Sequence, residues 1–153
     1  MRMSSRKRKK DVREDCFPNA HCPLASLMRR SQVDFEIDFF EQILNRDPVY
    51  VDVLRNLGEL FSVKGCHRRA LQVDLRHVAL RPNDPLAIYN LSCDYSLLGQ
   101  YSEAIQSLRR AIRVGYRDVE HMLADTDLTP LHRHPEFEAL LQELQKVDAP
   151  ASE

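Results

Sequence analysis

Histidine and aspartate residues concentrate in one stretch towards the end of the chain. His121, His132 and His134 lie close in sequence to Asp125 and Asp127. Imidazole and carboxylate groups bind metal ions or transfer protons in general acid–base catalysis. His132 and His134, however, flank a single residue just ahead of a proline, so their side chains should diverge. We therefore interpret these histidines as surface and helix-end residues rather than as a metal or acid–base centre.

A second group of potential metal ligands lies near the start of the chain. Cys16, His21 and Cys22 carry the thiol and imidazole groups that bind structural zinc. The Cys-x5-Cys spacing is longer than that of a zinc knuckle, and the adjacent His21 and Cys22 would struggle to face one ion. A fourth ligand such as Cys66 or His67 would have to come from a distant turn. We favour an ordinary linker, with a metal site as the alternative.

The signatures of common enzyme classes are missing from the sequence. It contains no Gly-rich phosphate loop, no nucleophile elbow and no His-Glu-x-x-His helix. We therefore expect no cofactor and predict that the protein is not an enzyme.

The first residues of the chain are strongly basic. Residues 1–15 carry seven Lys or Arg against three Asp or Glu, although the net charge of the whole chain is −1. A basic run without apolar periodicity should be unfolded in isolation, and we favour a solubilising role for it. Association with nucleic acid, ribosomes or an anionic surface is the alternative. It would use the consecutive basic residues Arg6, Lys7, Arg8, Lys9 and Lys10.

Length and composition indicate one compact all-α domain. The chain has 153 residues, of which 43% are hydrophobic, with four glycines and no tryptophan. No alternating pattern is long enough to predict a sheet, and no apolar run is long enough to cross a bilayer. The basic region is not followed by an apolar segment. We therefore expect no secretory signal, a cytoplasmic location and reduced cysteines.

An internal repeat organises the middle of the chain, between positions 51 and 118. Positions that are one period apart, about 34 residues, carry the same class of residue there. A fixed period of this length is typical of a repeat array, in which each unit buries its apolar face by stacking on a neighbour. The matching pairs include Asn56 with Asn90, Leu57 with Leu91, Gly65 with Gly99, Ala70 with Ala104, and Leu71 with Ile105.

Each unit has the pattern of two helices joined at a glycine. Gly65 can adopt the left-handed conformation that ends a helix, and Pro82 cannot continue one. Gly58 and Ala70 are small where the two helices must approach. Helical spacing predicts two apolar stripes that form the core. They are Val53, Leu54, Leu57, Leu60 and Phe61 in the first helix, and Ala70, Leu71, Leu75, Val78 and Leu80 in the second.

These positions resemble the tetratricopeptide repeat (TPR). The resemblance covers both units in register, and it implies an all-α, right-handed solenoid of helical hairpins. Asp74, His77, Ser92 and Tyr116 depart from the family's residue types without changing the period. The structural positions of the repeat fall on Leu57, Gly58, Ala70 and Pro82 in the first copy, and on Leu91, Ala104 and Ala111 in the second.

The flanking segments have the patterns of a half-repeat and a cap. A helix over residues 33–46 should place Phe35, Phe39 and Phe40 in the core, and residues 125–131 should form a turn with a short helical piece. The last helix, with Phe137, Leu140, Leu141 and Leu144, resembles the terminal cap of bacterial TPR proteins. The predicted segments are a disordered basic leader (1–15), an irregular segment or degenerate first helix (16–32), a half-repeat helix (33–50), the first repeat (51–84), the second repeat (85–118), a partial repeat with a capping helix (119–146) and a disordered tail (147–153).

The resemblance also implies a function. In this family the first helix of each repeat lines a concave groove that takes peptides or helices, so we expect a protein-interaction adaptor or scaffold. Asn56 and Asn90 are the leading pair, because an amide both donates and accepts hydrogen bonds. The alternative is that each bonds only to its own or a neighbouring helix. The predicted groove residues are Asp52, Arg55, Asn56 and Glu59 in the first repeat, and Leu86, Tyr89, Asn90 and Cys93 in the second.

Overall fold

The computed structural model describes residues 31–148, and it is all-α in that range, as predicted. Consecutive helices pack in adjacent pairs. The helices are α1 (Gln32–Arg46), α2 (Val51–Val63), α3 (His67–Leu80), α4 (Pro85–Leu97), α5 (Tyr101–Arg113), α6 (Val119–Ala124), a 3₁₀ helix (Thr126–Arg133) and α7 (Pro135–Asp148).

The turn inside each repeat ends its first helix in the predicted way. Gly65 has a φ of 76°, in the left-handed region that a side chain disfavours. The amide of Gly65 donates to the carbonyl of Ser62 at 2.9 Å, and that of Cys66 donates to Phe61 at 2.8 Å. This pair of bonds satisfies carbonyls that the helix end would leave open. Gly99, one period later, has a φ of 75° and the same pair of bonds.

The second repeat begins at a well-formed helix cap. The Asp84 carboxylate accepts hydrogen bonds from the amides of Leu86 at 3.0 Å and Ala87 at 3.2 Å. Pro85 occupies the first turn, where its missing N–H is not needed. Together these residues fix where α4 starts, and therefore the rotation of its exposed face.

An arginine on the second helix of each repeat ties it to the preceding hairpin. Arg76 donates to the carbonyl of Pro48 at 2.7 Å, and Arg110 donates to the carbonyl of Pro82 at 2.5 Å. The two arginines are one repeat period apart, and so are the two prolines. The repeat therefore keeps its internal geometry through a polar tie as well as through apolar packing.

A residue's position in the repeat predicts its burial better than the hydrophobicity of its side chain does. Six of the predicted structural positions are buried, whereas Pro82 is exposed. The predicted stripe of α3 is wrong at Leu75 and Leu80, which are exposed, while Asp74 and His77 are buried. The buried structural positions are Leu57, Gly58, Ala70, Leu91, Ala104 and Ala111.

The phenylalanines of α1 do not form the expected core cluster. Phe35 and Phe39 are exposed, and Phe40 is half-buried. Burial in α1 falls on Ile37 and Leu44 instead. The prediction that the phenylalanines pack inside is therefore wrong for Phe35 and Phe39.

The C-terminal helices form the expected apolar stripe. Phe137, Leu140, Leu141 and Leu144 are all buried in one core with residues of α4 and α5. Asp125 accepts a hydrogen bond from the amide of Asp127 at 2.9 Å and so caps the 3₁₀ helix. The predicted turn and short helical piece are thus present. None of the helices in the described range is long and apolar enough to span a membrane.

Candidate partner-binding face

The exposed part of the predicted groove lies on α2 and α4. Asp52, Arg55 and Glu59 are exposed on α2, and Leu86 is exposed on α4. Arg55 and Asp52 form an ion pair of 3.3 Å that is largely open to solvent, so it adds little stability. We call this surface the α2–α4 face; its members are Asp52, Arg55, Asn56, Glu59, Leu86 and Asn90.

The two asparagines of the α2–α4 face occupy equivalent places on the two first helices. Asn56 and Asn90 are each half-buried, and their positions differ by one repeat period. Within residues 31–148, neither side-chain amide is engaged in a hydrogen bond. Each therefore retains two donor hydrogens and an acceptor oxygen for another molecule.

Tyr89 and Cys93 lie beneath the surface instead of on the face. Tyr89 is 2% exposed; its hydroxyl donates to Asp125 Oδ2 at 2.7 Å, and its ring stacks on Tyr116 at 4.4 Å. The Cys93 thiol is buried and lies 3.6 Å from the same carboxylate oxygen. Asp125 enters from the turn between α6 and the 3₁₀ helix, so both side chains join the repeat to its cap.

Cys93, Asp125 and His121 lie near one another but lack an activated nucleophile. Burial, reinforced by the Asp125 carboxylate, raises the pKa of the Cys93 thiol far above its usual value. The His121 Nε2 atom is 3.8 Å from Asp125 Oδ2, beyond a hydrogen bond. A protonated thiol is a poor nucleophile. This cluster therefore provides a structural contact instead of a reactive centre.

The three C-terminal histidines have three different neighbours. His121 packs against Tyr89, His134 against Tyr101 and His132 against Phe137, at ring-centroid distances of 5.4, 4.7 and 5.4 Å. In the described part of the chain no group of three or more His, Cys, Asp or Glu could hold a metal ion. The histidines near the cap therefore do not converge on one centre.

His77 is a buried histidine whose charge state is set by its surroundings. Burial lowers the pKa of His77, and the Asp84 carboxylate 3.8 Å from Nε2 only partly offsets this effect. The imidazole is therefore neutral at physiological pH. It fills space at the end of α3, close to the cap of α4.

A buried carboxyl pair is the feature that sequence reasoning missed. Asp74 on α3 and Asp94 on α4 are both buried, and both contact α2, at Gly58 and at Ser62. Asp74 occupies a position where the family pattern has a different residue type, and this departure was the available signal. Asp94 had no such signal, because its partner is known only once α3 and α4 are packed.

Several sequence-based expectations concern residues outside the described range. The basic run from Arg6 to Lys10 and the possible zinc ligands Cys16, His21 and Cys22 belong to this group. Of the cysteines within the range, Cys93 is a free thiol.

Comparison with solved structures decides the fold. MamA, a tetratricopeptide-like protein, matches with a TM-score of 0.62 and 19% sequence identity, over 84% of this chain and 76% of that chain. The chain has a tetratricopeptide-like repeat fold. The match covers 84% of this chain, whereas residues 51–118 are less than half of its 153 residues. The likeness therefore extends beyond the segment in which the two repeats were predicted.

Curated proteins are also similar to parts of this chain. A chloroplastic protein from Arabidopsis thaliana is 29% identical over 92 residues, which is 58% of this chain and 28% of that protein. The BBSome complex member BBS4 homolog of Drosophila melanogaster is 27% identical over 104 residues, which is 67% of this chain and 21% of that protein. The chain spans about a quarter of the length of these curated relatives. No family model matches it.

Proposed function

We propose that this protein is an interaction adaptor that binds an extended peptide or a helix on the α2–α4 face. Its tetratricopeptide-like fold supports protein partners in general. The observation that carries the more specific proposal is the pair Asn56 and Asn90, which repeat with the period of the fold and leave their amides unbonded within the described residues. Buried or half-buried amides usually find a hydrogen-bond partner, and here a bound peptide backbone would supply it.

The chemistry of the face suits recognition of a peptide backbone with limited side-chain selection. An asparagine amide can donate to a peptide carbonyl and accept from a peptide N–H at the same time. Glu59 beside Asn56 favours a neutral or basic ligand segment, and the exposed Leu86 offers one apolar contact. Preorganised polar groups on helices give specificity without a large buried area, so affinity should be modest.

The experiment compares two pairs of amide substitutions in the full chain. The test variant is Asn56→Ala with Asn90→Ala. The matched control is Gln72→Ala with Gln106→Ala, because these exposed amides are also one repeat period apart but lie on the second helices. Peptides selected on the wild-type protein from a displayed library are labelled, and their affinities for the three forms are measured by fluorescence anisotropy.

We expect the asparagine variant to bind about 5- to 150-fold more weakly, since each lost hydrogen bond is worth about 0.5–1.5 kcal/mol. The glutamine control should bind within about twofold of wild type. Equal binding by all three folded forms would exclude the α2–α4 face as the binding site for the peptides. Binding that is lost on removing residues 1–10 and falls steeply with salt would instead assign it to the basic leader.

A further inference from the structure

Two aspartates share one buried site at the junction of the two repeats. Asp74 on α3 is 5% exposed and Asp94 on α4 is 1% exposed. Their carboxyl groups contact α2 one helical turn apart, at Gly58 and at Ser62. Two ionised carboxylates in one buried site would repel each other, which favours a proton on one of them.

The helix α2 packs against the site that Asp74 on α3 and Asp94 on α4 form. A Cβ atom added at Gly58 would lie 2.2 Å from Asp74 Oδ1, so this carboxyl group packs directly on the backbone of α2. The Ser62 hydroxyl donates to Asp94 Oδ1 at 3.3 Å. Asp94 Oδ2 is buried with no donor aimed at it from the described residues. An ionised carboxylate with an unsatisfied buried oxygen is costly, so this arrangement favours the protonated acid.

The same positions one period later show that the fold does not require this pair. Asp74 corresponds to Leu108 and Asp94 to Leu128, and both leucines are fully buried in the apolar core. A buried polar pair of this kind is often no more stable than well-packed apolar residues. The first junction therefore contains two carboxyl groups where the next one has two leucines.

The groups around the pair favour keeping the proton. Burial is the main cause that raises the pKa of Asp74 to about 7 and that of Asp94 to about 8. The charge of Asp74 and then of Asp127, from the 3₁₀ helix, further raise the pKa of Asp94, whereas Ser62 on α2 lowers it. Two more titratable groups lie near the pair. The charge of Asp94 contributes to the raised pKa of the Cys93 thiol on α4, and His67 at the start of α3 acts to lower the pKa of Asp127.

We propose that Asp74 and Asp94 make the contact between the two repeats depend on pH. One shared proton holds α3 against α4 and α2 near neutral pH. Its loss in mildly alkaline solution places two like charges in one buried site and loosens the junction. This behaviour is independent of whether the α2–α4 face binds a peptide.

The direction of the effect follows from proton linkage. Both pKa values are higher in the folded protein than the ordinary carboxyl value of 3.8, so the folded state binds the proton more tightly than the unfolded chain. Stability from this pair is complete below the unfolded pKa and is lost as pH rises through the folded pKa values of about 7 and 8. The contribution of this pair to the urea midpoint should therefore fall between about pH 5 and pH 8.5.

The test measures urea unfolding of the full chain across that pH range. Asp94→Asn should flatten the decline, because an amide donates to Asp74 without titrating. Asp74→Leu with Asp94→Leu, which copies the next junction, should flatten it as well. Glu143→Gln, which removes an exposed carboxyl group on α7, should retain the wild-type slope. The inference is overturned if both junction variants lose as much midpoint between these pH values as the wild type does.

A direct titration keeps the test decisive even if a variant fails to fold. The side-chain carboxyl carbons of Asp74 and Asp94 can be followed by NMR in the wild-type protein. We expect at least one of them to change its chemical shift above about pH 6, and both to titrate in coupled steps. Titration of both carbons below about pH 5 would show two independent carboxylates and would overturn the inference.

Discussion

At the scale of single residues, Gly58 decides what can pack between α2 and α3. Its missing side chain makes room for Asp74 Oδ1, which occupies the space where a Cβ atom would otherwise lie. The sequence shows that a small residue is needed here, and the structure identifies the neighbour. Ser92 takes the equivalent position in the second repeat, where the residue that corresponds to Asp74 is Leu108.

Gly58→Ala tests this contact. An alanine in an exposed helix would add about 0.5–1 kcal/mol of stability, but overpacking at this site should cost about 1–3 kcal/mol. We therefore expect a net loss in the free energy of unfolding, measured by urea denaturation at neutral pH.

Asp74→Ala provides the matched background for this substitution. If the Asp74 carboxyl group is what clashes, the loss caused by Gly58→Ala should shrink or reverse when that group is absent. A stabilising effect of Gly58→Ala in the otherwise wild-type chain would contradict the contact.

At the scale of helices, a polar tie fixes each second helix on the hairpin before it. Arg76 and Arg110 reach the carbonyls of Pro48 and Pro82, which follow the preceding second helices. A proline carbonyl just beyond a helix end has no intrahelical partner, so an arginine can satisfy it. The period in the sequence contains this pair of arginines, but the acceptors become evident only when the helices are packed.

Arg76→Ala and Arg110→Ala should each lower the free energy of unfolding by about 0.5–1.5 kcal/mol, the usual worth of one hydrogen bond. Arg109→Ala is the control, because that neighbouring side chain is exposed and is not hydrogen-bonded in the described part of the chain. It should change stability by less than about 0.5 kcal/mol. Equal losses at Arg109 and Arg110 in chemical denaturation would indicate a general charge effect instead of the tie.

At the scale of the whole molecule, the stability of each helix pair depends on its packing against the neighbouring pair. The largest contacts lie between neighbouring helices, and the 3₁₀ helix and α7 cover α4 and α5. Solenoids of this kind are stabilised by nearest-neighbour interfaces. The two ends of the described range should therefore respond separately to substitutions.

Phe137→Ala removes a fully buried ring from the cap and should cost about 3–5 kcal/mol. Hydrogen exchange followed by mass spectrometry should then accelerate mainly in α4 and α5. Ile37→Ala, at a buried position of α1, is the counterpart and should accelerate exchange mainly in α2. A uniform acceleration along the chain in both variants would contradict this separation.

The predicted groove shows where sequence reasoning stops. The resemblance implied that Asp52, Arg55 and Glu59 line a groove, and all three are exposed on α2. It implied the same for Tyr89 and Cys93, although both are buried and contact Asp125. The position of a residue in a repeat predicts the direction in which its side chain points from its own helix. It does not predict whether a distant segment of the chain covers that side chain.

The sequence by itself determined the helical hairpins, their turns and their order, because periodicity, Gly65, Gly99 and Pro85 act on neighbouring residues. Only the tertiary structure decided which side chains are covered. Burial of Tyr89, exposure of Phe35 and Phe39, and the meeting of Asp74 with Asp94 all depend on contacts between separate helices. The physical reason is that local conformation is fixed by short-range sterics and hydrogen bonds, whereas burial and proton affinity depend on how the elements pack.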